Sequence, residues 1–122
     1  MFTAIVLDNE SKLDCFLVAE NLNLLPDDNC KLHCHHVTLA MGDKSKRFKV
    51  GEGRTLEVTH FGVLEGRVSA FRVLGADDSD NENPHVTIAT YGDGKPKESN
   101  EISEWHKLEE SFIITGKVEI CN

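Results

Sequence analysis

The octet His36-Val37-Thr38-Leu39-Ala40-Met41-Gly42-Asp43 returns in the second half of the chain as His85-Val86-Thr87-Ile88-Ala89-Thr90-Tyr91-Gly92-Asp93, with one residue inserted ahead of the Gly-Asp. Lysines follow each copy, in "GDKSK" and "GDGKPK", so the likeness runs past the apolar segment into the loop that leaves it. The two halves read as a degenerate duplication. Each copy has the period of a strand, with His and Thr pointing one way and Val with Leu or Ile the other. The apolar side anchors the strand in a core. A buried face tolerates imidazole and hydroxyl only when they are hydrogen-bonded, so meeting the pair twice implies a polar network or an open cleft.

Working outward, Thr3 to Leu7 is a short apolar strand, and Ser11 to Leu24 spaces Leu13, Phe16, Leu17 and Leu24 as an amphipathic helix does. Asn9 or Ser11 is placed to cap that helix, and "LLPDDN" to end it. Lys31 to Met41 reads as one strand, and Leu56–Leu64 and Val68–Leu74 as a hairpin through "EGR". "GADDSDNENP" is an acidic, mobile loop delivering the chain into the second octet, and "GDGKPKESN" is another loop. Ser103 to Glu110 is weakly helical around Trp105 and Leu108, and Phe112 to Ile120 alternates as a closing strand. The fold class expected is α+β, a single mostly antiparallel domain spanning residues 1–122 with few helices.

At 122 residues the chain has room for one domain, and 39% hydrophobic residues suffice for one core, so wholesale disorder is excluded. No apolar run approaches the roughly 20 residues of a membrane helix, and acid follows the N-terminal "MFTAIVLDNE" too soon for a secretory signal. The expectation is a soluble, unprocessed, cytoplasmic protein whose four cysteines, lacking any CxxC pair, stay reduced. The net charge of −8 argues against sequence-blind clamping of duplex DNA. Its distribution is uneven: residues 31–75 carry eight basic and four acidic side chains, between two acidic ends. A basic patch on an acidic body suits a small anionic ligand or a few nucleotides.

Two imidazoles facing one another across a cleft can divide the work of phosphoryl chemistry. One accepts a proton from the nucleophile and the other donates to the leaving group, each typically contributing about 10²–10⁴-fold in rate. Threonine hydroxyls beside them can donate to the non-bridging oxygens as charge develops. His36-Val37-Thr38-Leu39 and His85-Val86-Thr87-Ile88 resemble the paired His-x-Thr/Ser-x signature of the two-histidine (2H) phosphoesterases. The resemblance implies a compact bilobal fold, with two pseudo-symmetric sheet lobes around a central cleft. It further implies cofactor-free, metal-independent cleavage of 2′,3′-cyclic phosphates or of 2′–5′ and related diesters, in RNA ends, oligoadenylates or cyclic-nucleotide signals. His36, Thr38, His85 and Thr87 are then the catalytic residues of a monomer acting on an RNA terminus or small nucleotide. Many members of that family are longer, whereas here the segment between the motifs is nearly all strand and loop.

Around this centre, Tyr91 falls on the face of His85 and Thr87 by i+2 counting and is a candidate to touch base or ribose. Lys95, with Lys44, Lys46 and Lys97, lies on the loops after the motifs, placed to draw in phosphate. Trp105 can stack on a base, but a sole tryptophan in a small domain is more often core. "CKLHCHH" is rich in metal-ligand types, yet a strand sends Cys34 to the face opposite His33 and His35. Two readings of other classes therefore stand beside the enzyme: a nucleotide or RNA-end binding module without turnover, and a zinc-stabilised interaction domain.

Overall fold

The computed structural model describes residues 1–25 and 30–122. Among the described residues seven strands form: β1 (Phe2–Leu7), β2 (Cys30–Leu32), β3 (His36–Met41), β4 (Gly53–Leu64), β5 (Val68–Leu74), β6 (His85–Tyr91) and β7 (His106–Cys121). They lie in the order β2-β6-β3-β1-β7-β4-β5, and β5 also pairs with β6. Six of them therefore close a ring, every ladder of it antiparallel. The expectation of a mostly antiparallel sheet with few helices holds. Closure also removes the edges that an open sheet of this length exposes.

A barrel this narrow is filled by its own side chains. Val37, Leu39, Val86 and Ile88 from the two octets are fully buried in the main core, with Ile5, Leu56, Val58, Phe71, Ile114 and Val118. His36, Thr38, His85 and Thr87 are half-buried on the opposite face of the same strands, as alternation requires. The octets pair with each other at Val37↔Val86, the same position in each copy, so a pseudo-twofold axis passes between these two valines. Each octet also carries an irregularity at the same place. Ala4 pairs with Thr38 but Thr3 with Ala40, and Ala70 pairs with Thr87 but Ser69 with Ala89, which leaves Leu39 and Ile88 as matching bulge residues. The echo continues into the exits, where Gly42 and Gly92 both adopt the left-handed conformation, at φ 82° and 51°.

α1 (Asn9–Asn21) forms where the sequence expects a helix but differs in cap and face. Asp8, rather than Asn9 or Ser11, is the cap, accepting from the Ser11 backbone N–H at 2.8 Å. Its buried stripe is Ser11, Cys15 and Ala19, whereas Leu13 and Leu17 are more than half exposed. Small residues prevail on the inner side because they let the helix lie close on β7, where the Thr115 backbone N–H donates to the Ser11 hydroxyl. The expected helix stop at "LLPDDN" falls partly outside the described residues.

Three further expectations are corrected. Lys31–Met41 is not one strand: residues 33–35 leave the ladder, and Cys34 turns through φ 48° between β2 and β3. Ser103–Glu110 is not helical, because the chain enters the long strand β7 at His106; the helical turn lies earlier, as a 3₁₀ segment at Pro96–Glu101. The acidic loop 75–84 is anchored, through Arg47 to Asp80 at 2.8 Å and Arg54 to Asp78 at 2.7 Å. It also bonds to β3 directly, the Asp80 N–H donating to the Leu39 carbonyl and the Ser79 hydroxyl to that of Thr38. Among the described residues no helix is long and apolar enough to cross a membrane.

Candidate active site

His36, Thr38, His85 and Thr87 line one cavity of about 540 Å³ on the outside of the barrel. Their convergence follows from the register. With Val37 opposite Val86, antiparallel strands bring His36 beside Thr87 and Thr38 beside His85, all on one face. Each imidazole thus has the other copy's hydroxyl as its cross-strand neighbour. The remaining walls come from the anchored loop (Asp80, Asn81), the first exit (Met41, Lys44), the 3₁₀ segment (Pro96, Lys97, Asn100), and Phe2 of β1.

The two imidazoles are held differently. The His85 Nδ1–H donates to the Asn83 carbonyl at 2.7 Å, which leaves Nε2 of the neutral ring as an acceptor. Burial lowers its pKa below the ordinary histidine value, and the Asn83 carbonyl offsets part of that. His36 stacks on Phe2, with ring centroids 4.8 Å apart, and its Nδ1 lies 3.1 Å from the Nδ1 of His35. Burial first, then the neighbouring His35, His85 and His33, push its pKa down to about 4. His36 is the more readily neutral of the two.

The hydroxyls and lysines are positioned by secondary contacts. Thr87 Oγ1 lies 2.9 Å from Oγ of the buried Ser99. Thr38 makes no side-chain hydrogen bond among the described residues, so its hydroxyl is available to the cavity. Thr3, fully buried, fixes the first exit by donating to the Gly42 carbonyl and accepting from the Lys44 N–H. The second exit is clamped by Arg67, whose guanidinium forks onto Glu98 at 2.7 and 2.8 Å while Glu98 accepts from the Lys95 N–H. Lys44 and Lys97 thereby reach the cavity; Lys95 stands exposed at the head of the 3₁₀ segment, and neither it nor Lys46 lines the wall.

Tyr91 is not brought to this site. The bulge at Ile88 shifts the alternation of β6 by one residue, so Tyr91 packs against the main core, where its hydroxyl donates to the Leu24 carbonyl and accepts from the Ser69 hydroxyl. Simple i+2 counting fails across a bulge. Trp105 packs with Val68, Ala70, Ile102 and Leu64 in a second cluster outside the barrel, its ring centroid 6.3 Å from that of His85. Of the "CKLHCHH" ligand types, Cys34 is buried away with its thiol pKa pushed up by Cys15 and burial, while His33, His35 and His36 line one small cavity, His33 Nε2 bonding Thr90 Oγ1 at 3.1 Å and His35 turning to His36. Among the described residues no three of His, Cys, Asp and Glu converge on a common point.

Sequence reasoning missed Phe2, Asp80, Asn81 and Asn100. Only the first had a signal, since a strand beside the first octet brings its terminal side chain near His36; the loop residues carry no pattern. Scans against protein-family models, curated proteins and solved structures return no match for this chain.

Proposed function

We propose that the protein is a monomeric, metal-independent phosphodiesterase of 2H phosphoesterase type. Its substrates would be 2′,3′-cyclic phosphates or 2′–5′ and related diesters of RNA ends or small nucleotides. The observation that carries this reading is the union of both echoed His-x-Thr pairs in a single cavity about the Val37↔Val86 axis. The two octets share one closed barrel rather than two lobes, so what supports the reading is their pseudo-twofold pairing and not a bilobal architecture.

In this mechanism neutral His36 takes the proton from the attacking water, and protonated His85 donates from Nε2 to the departing ribose oxygen. The assignment follows their environments. Nothing offsets the depression of His36, whereas the Asn83 carbonyl supports the imidazolium of His85. Thr38 and Thr87 donate to the non-bridging oxygens, and Lys44 and Lys97 supply positive charge at the cavity wall. Acid, base and charge stabilisation thus all come from the chain itself.

The test is incubation of the purified protein in EDTA with 2′,3′-cyclic mononucleotides, 2′–5′ oligoadenylate, cyclic dinucleotides and cyclic-phosphate-ended RNA, beside the His36→Ala/His85→Ala variant. Turnover that the variant lacks supports the enzyme. Lowered pKa values at both histidines favour one second reading, a nucleotide-binding module, since two neutral imidazoles lack a proton donor at pH 7. Binding without turnover at pH 5 as well as pH 7 would select it.

A further inference from the structure

A second cavity of about 220 Å³ opens beside His85, sharing Asp80, Asn81, His85 and Asn100 with the first. The two are therefore neighbouring compartments of one cleft, meeting at the imidazole assigned to protonate the leaving oxygen. Their chemistry differs. The first is lined by imidazole, hydroxyl and ammonium groups suited to a phosphate; the second adds Glu82, Asn83 and Trp105 and has no lysine or arginine in its wall. Beyond His85, which it shares with the first compartment, an anionic group has no cationic partner there, while a neutral polar ring finds several hydrogen-bonding groups.

Asp80 gives one carboxylate oxygen to Arg47 and Ser99 pairs with Thr87, but the other polar side chains that this compartment brings together are unspent. The side-chain amides of Asn81, Asn83 and Asn100 and the Glu82 carboxylate make no hydrogen bond among the described residues. The Trp105 Nε1–H is buried and has no hydrogen-bond partner there either, an arrangement that ordinarily costs stability. The indole is seated deliberately, against Gly62, where a Cβ would come within 2.9 Å of its Cε3 and 2.5 Å of Ile102 Cγ2. A flat apolar wall with amides and carboxylates around it matches a planar heterocycle that both accepts and donates.

Resting on the phosphodiesterase reading, we infer that this compartment holds the nucleobase of the nucleoside whose ribose carries the departing oxygen, and selects bases that carry an exocyclic amine. The carboxylates of Asp80 and Glu82 accept from such an amine, and the amides pair with the adjacent ring nitrogen. A base presenting a carbonyl instead of the amine sets two acceptors against each other. A site built on hydrogen bonds rejects such an analogue far more strongly than an apolar slot does.

The protein's only tryptophan makes occupancy directly visible. Adenosine and inosine 3′-monophosphate, which differ in that amine and its neighbouring ring nitrogen, are titrated against intrinsic fluorescence. In parallel, the 2′,3′-cyclic phosphates of adenosine, inosine, cytidine and uridine are compared as substrates. The adenine ligand is expected to change the Trp105 emission and to bind at least tenfold tighter than the hypoxanthine one. The cyclic phosphates of adenosine and cytidine should show KM values lower by a similar factor than those of inosine and uridine. Asn81→Ala and Asn100→Ala, checked for unchanged circular dichroism, should narrow both gaps. Equal turnover of all four bases, unaltered by these variants, would overturn the base pocket and leave the phosphodiesterase standing. Discriminating binding with no turnover of any substrate would keep the pocket and remove the catalytic reading.

Discussion

At the scale of single residues, the cavity depends on two imidazoles made unlike by their surroundings. Replacing either His36 or His85 by alanine is expected to lower kcat by about 10²–10⁴-fold while leaving far-ultraviolet circular dichroism unchanged; full activity in His85→Ala would sink the mechanism. The pH profile follows from their shifts. In the proposed mechanism His36, as base, must be neutral and has its pKa pushed down to about 4, while His85, as acid, must be protonated and has its pKa lowered below the ordinary 6.5. Activity should therefore peak between about pH 4 and 6.5, and a plateau extending above pH 7.5 would contradict the assignment. The same shift has a stability consequence. Between pH 6.5 and 4 the unfolded chain binds a proton at His36 that the folded one does not, so stability present above 6.5 is lost as the pH falls towards 4. Urea denaturation at pH 7 and pH 5 should show a smaller loss in His36→Asn than in the parent.

At the scale of elements, the motif strands work as a pair, anchored on one face and chemically armed on the other. Leu39→Ala or Ile88→Ala, at the bulge of each octet, should cost about 2–5 kcal/mol in chemical denaturation, because both side chains are fully buried in a close-packed barrel. Loss below 0.5 kcal/mol would mean that the barrel interior is not packed as described. The second exit is equally constrained. A Cβ at Gly94 would lie 1.9 Å from the Arg67 carbonyl oxygen, a backbone atom that cannot step aside. Gly94→Ala should destabilise by about 3 kcal/mol and also raise KM, since Lys97 and Ser99 lie on the segment that follows. Neither strand face needed the structure to be read: alternation alone separates His36 and Thr38 from Val37 and Leu39. The face of α1 did need it, because Ser11, Cys15 and Ala19 face inward for their small size, which hydrophobicity does not register.

At the scale of the whole molecule, a chain of net charge −8 sets Lys44 and Lys97 in the wall of the cavity proposed to take the phosphate. That local charge is expected to work by attraction over about 8 Å at physiological ionic strength. Lys44→Ala/Lys97→Ala should therefore raise KM about tenfold, with little change in kcat, and should weaken the salt dependence of kcat/KM. An unchanged salt dependence would remove the lysines from substrate capture. Arg47 and Arg54, by contrast, serve the loop. The exposed Arg47–Asp80 pair contributes only about 0–1 kcal/mol to stability, yet with the half-buried Arg54–Asp78 pair it holds Asp80 and Asn81 at the cavity wall.

The sequence by itself determined the pairing of chemistry with anchorage. Strand period and repetition put two imidazoles and two hydroxyls on matching faces of matching strands, with glycine turns at both exits. These are local properties, set by side-chain alternation and by the conformational freedom of glycine. Tertiary structure alone decided that the two strands are neighbours in register at Val37 and Val86, that six strands close a ring, and that Tyr91 turns inward past the bulge. It also decided that Asn81, Asn100 and Trp105 meet His85. Register and closure depend on which distant surfaces bury one another, and a bulge inverts every later side chain, so neither is written in the spacing of any one segment.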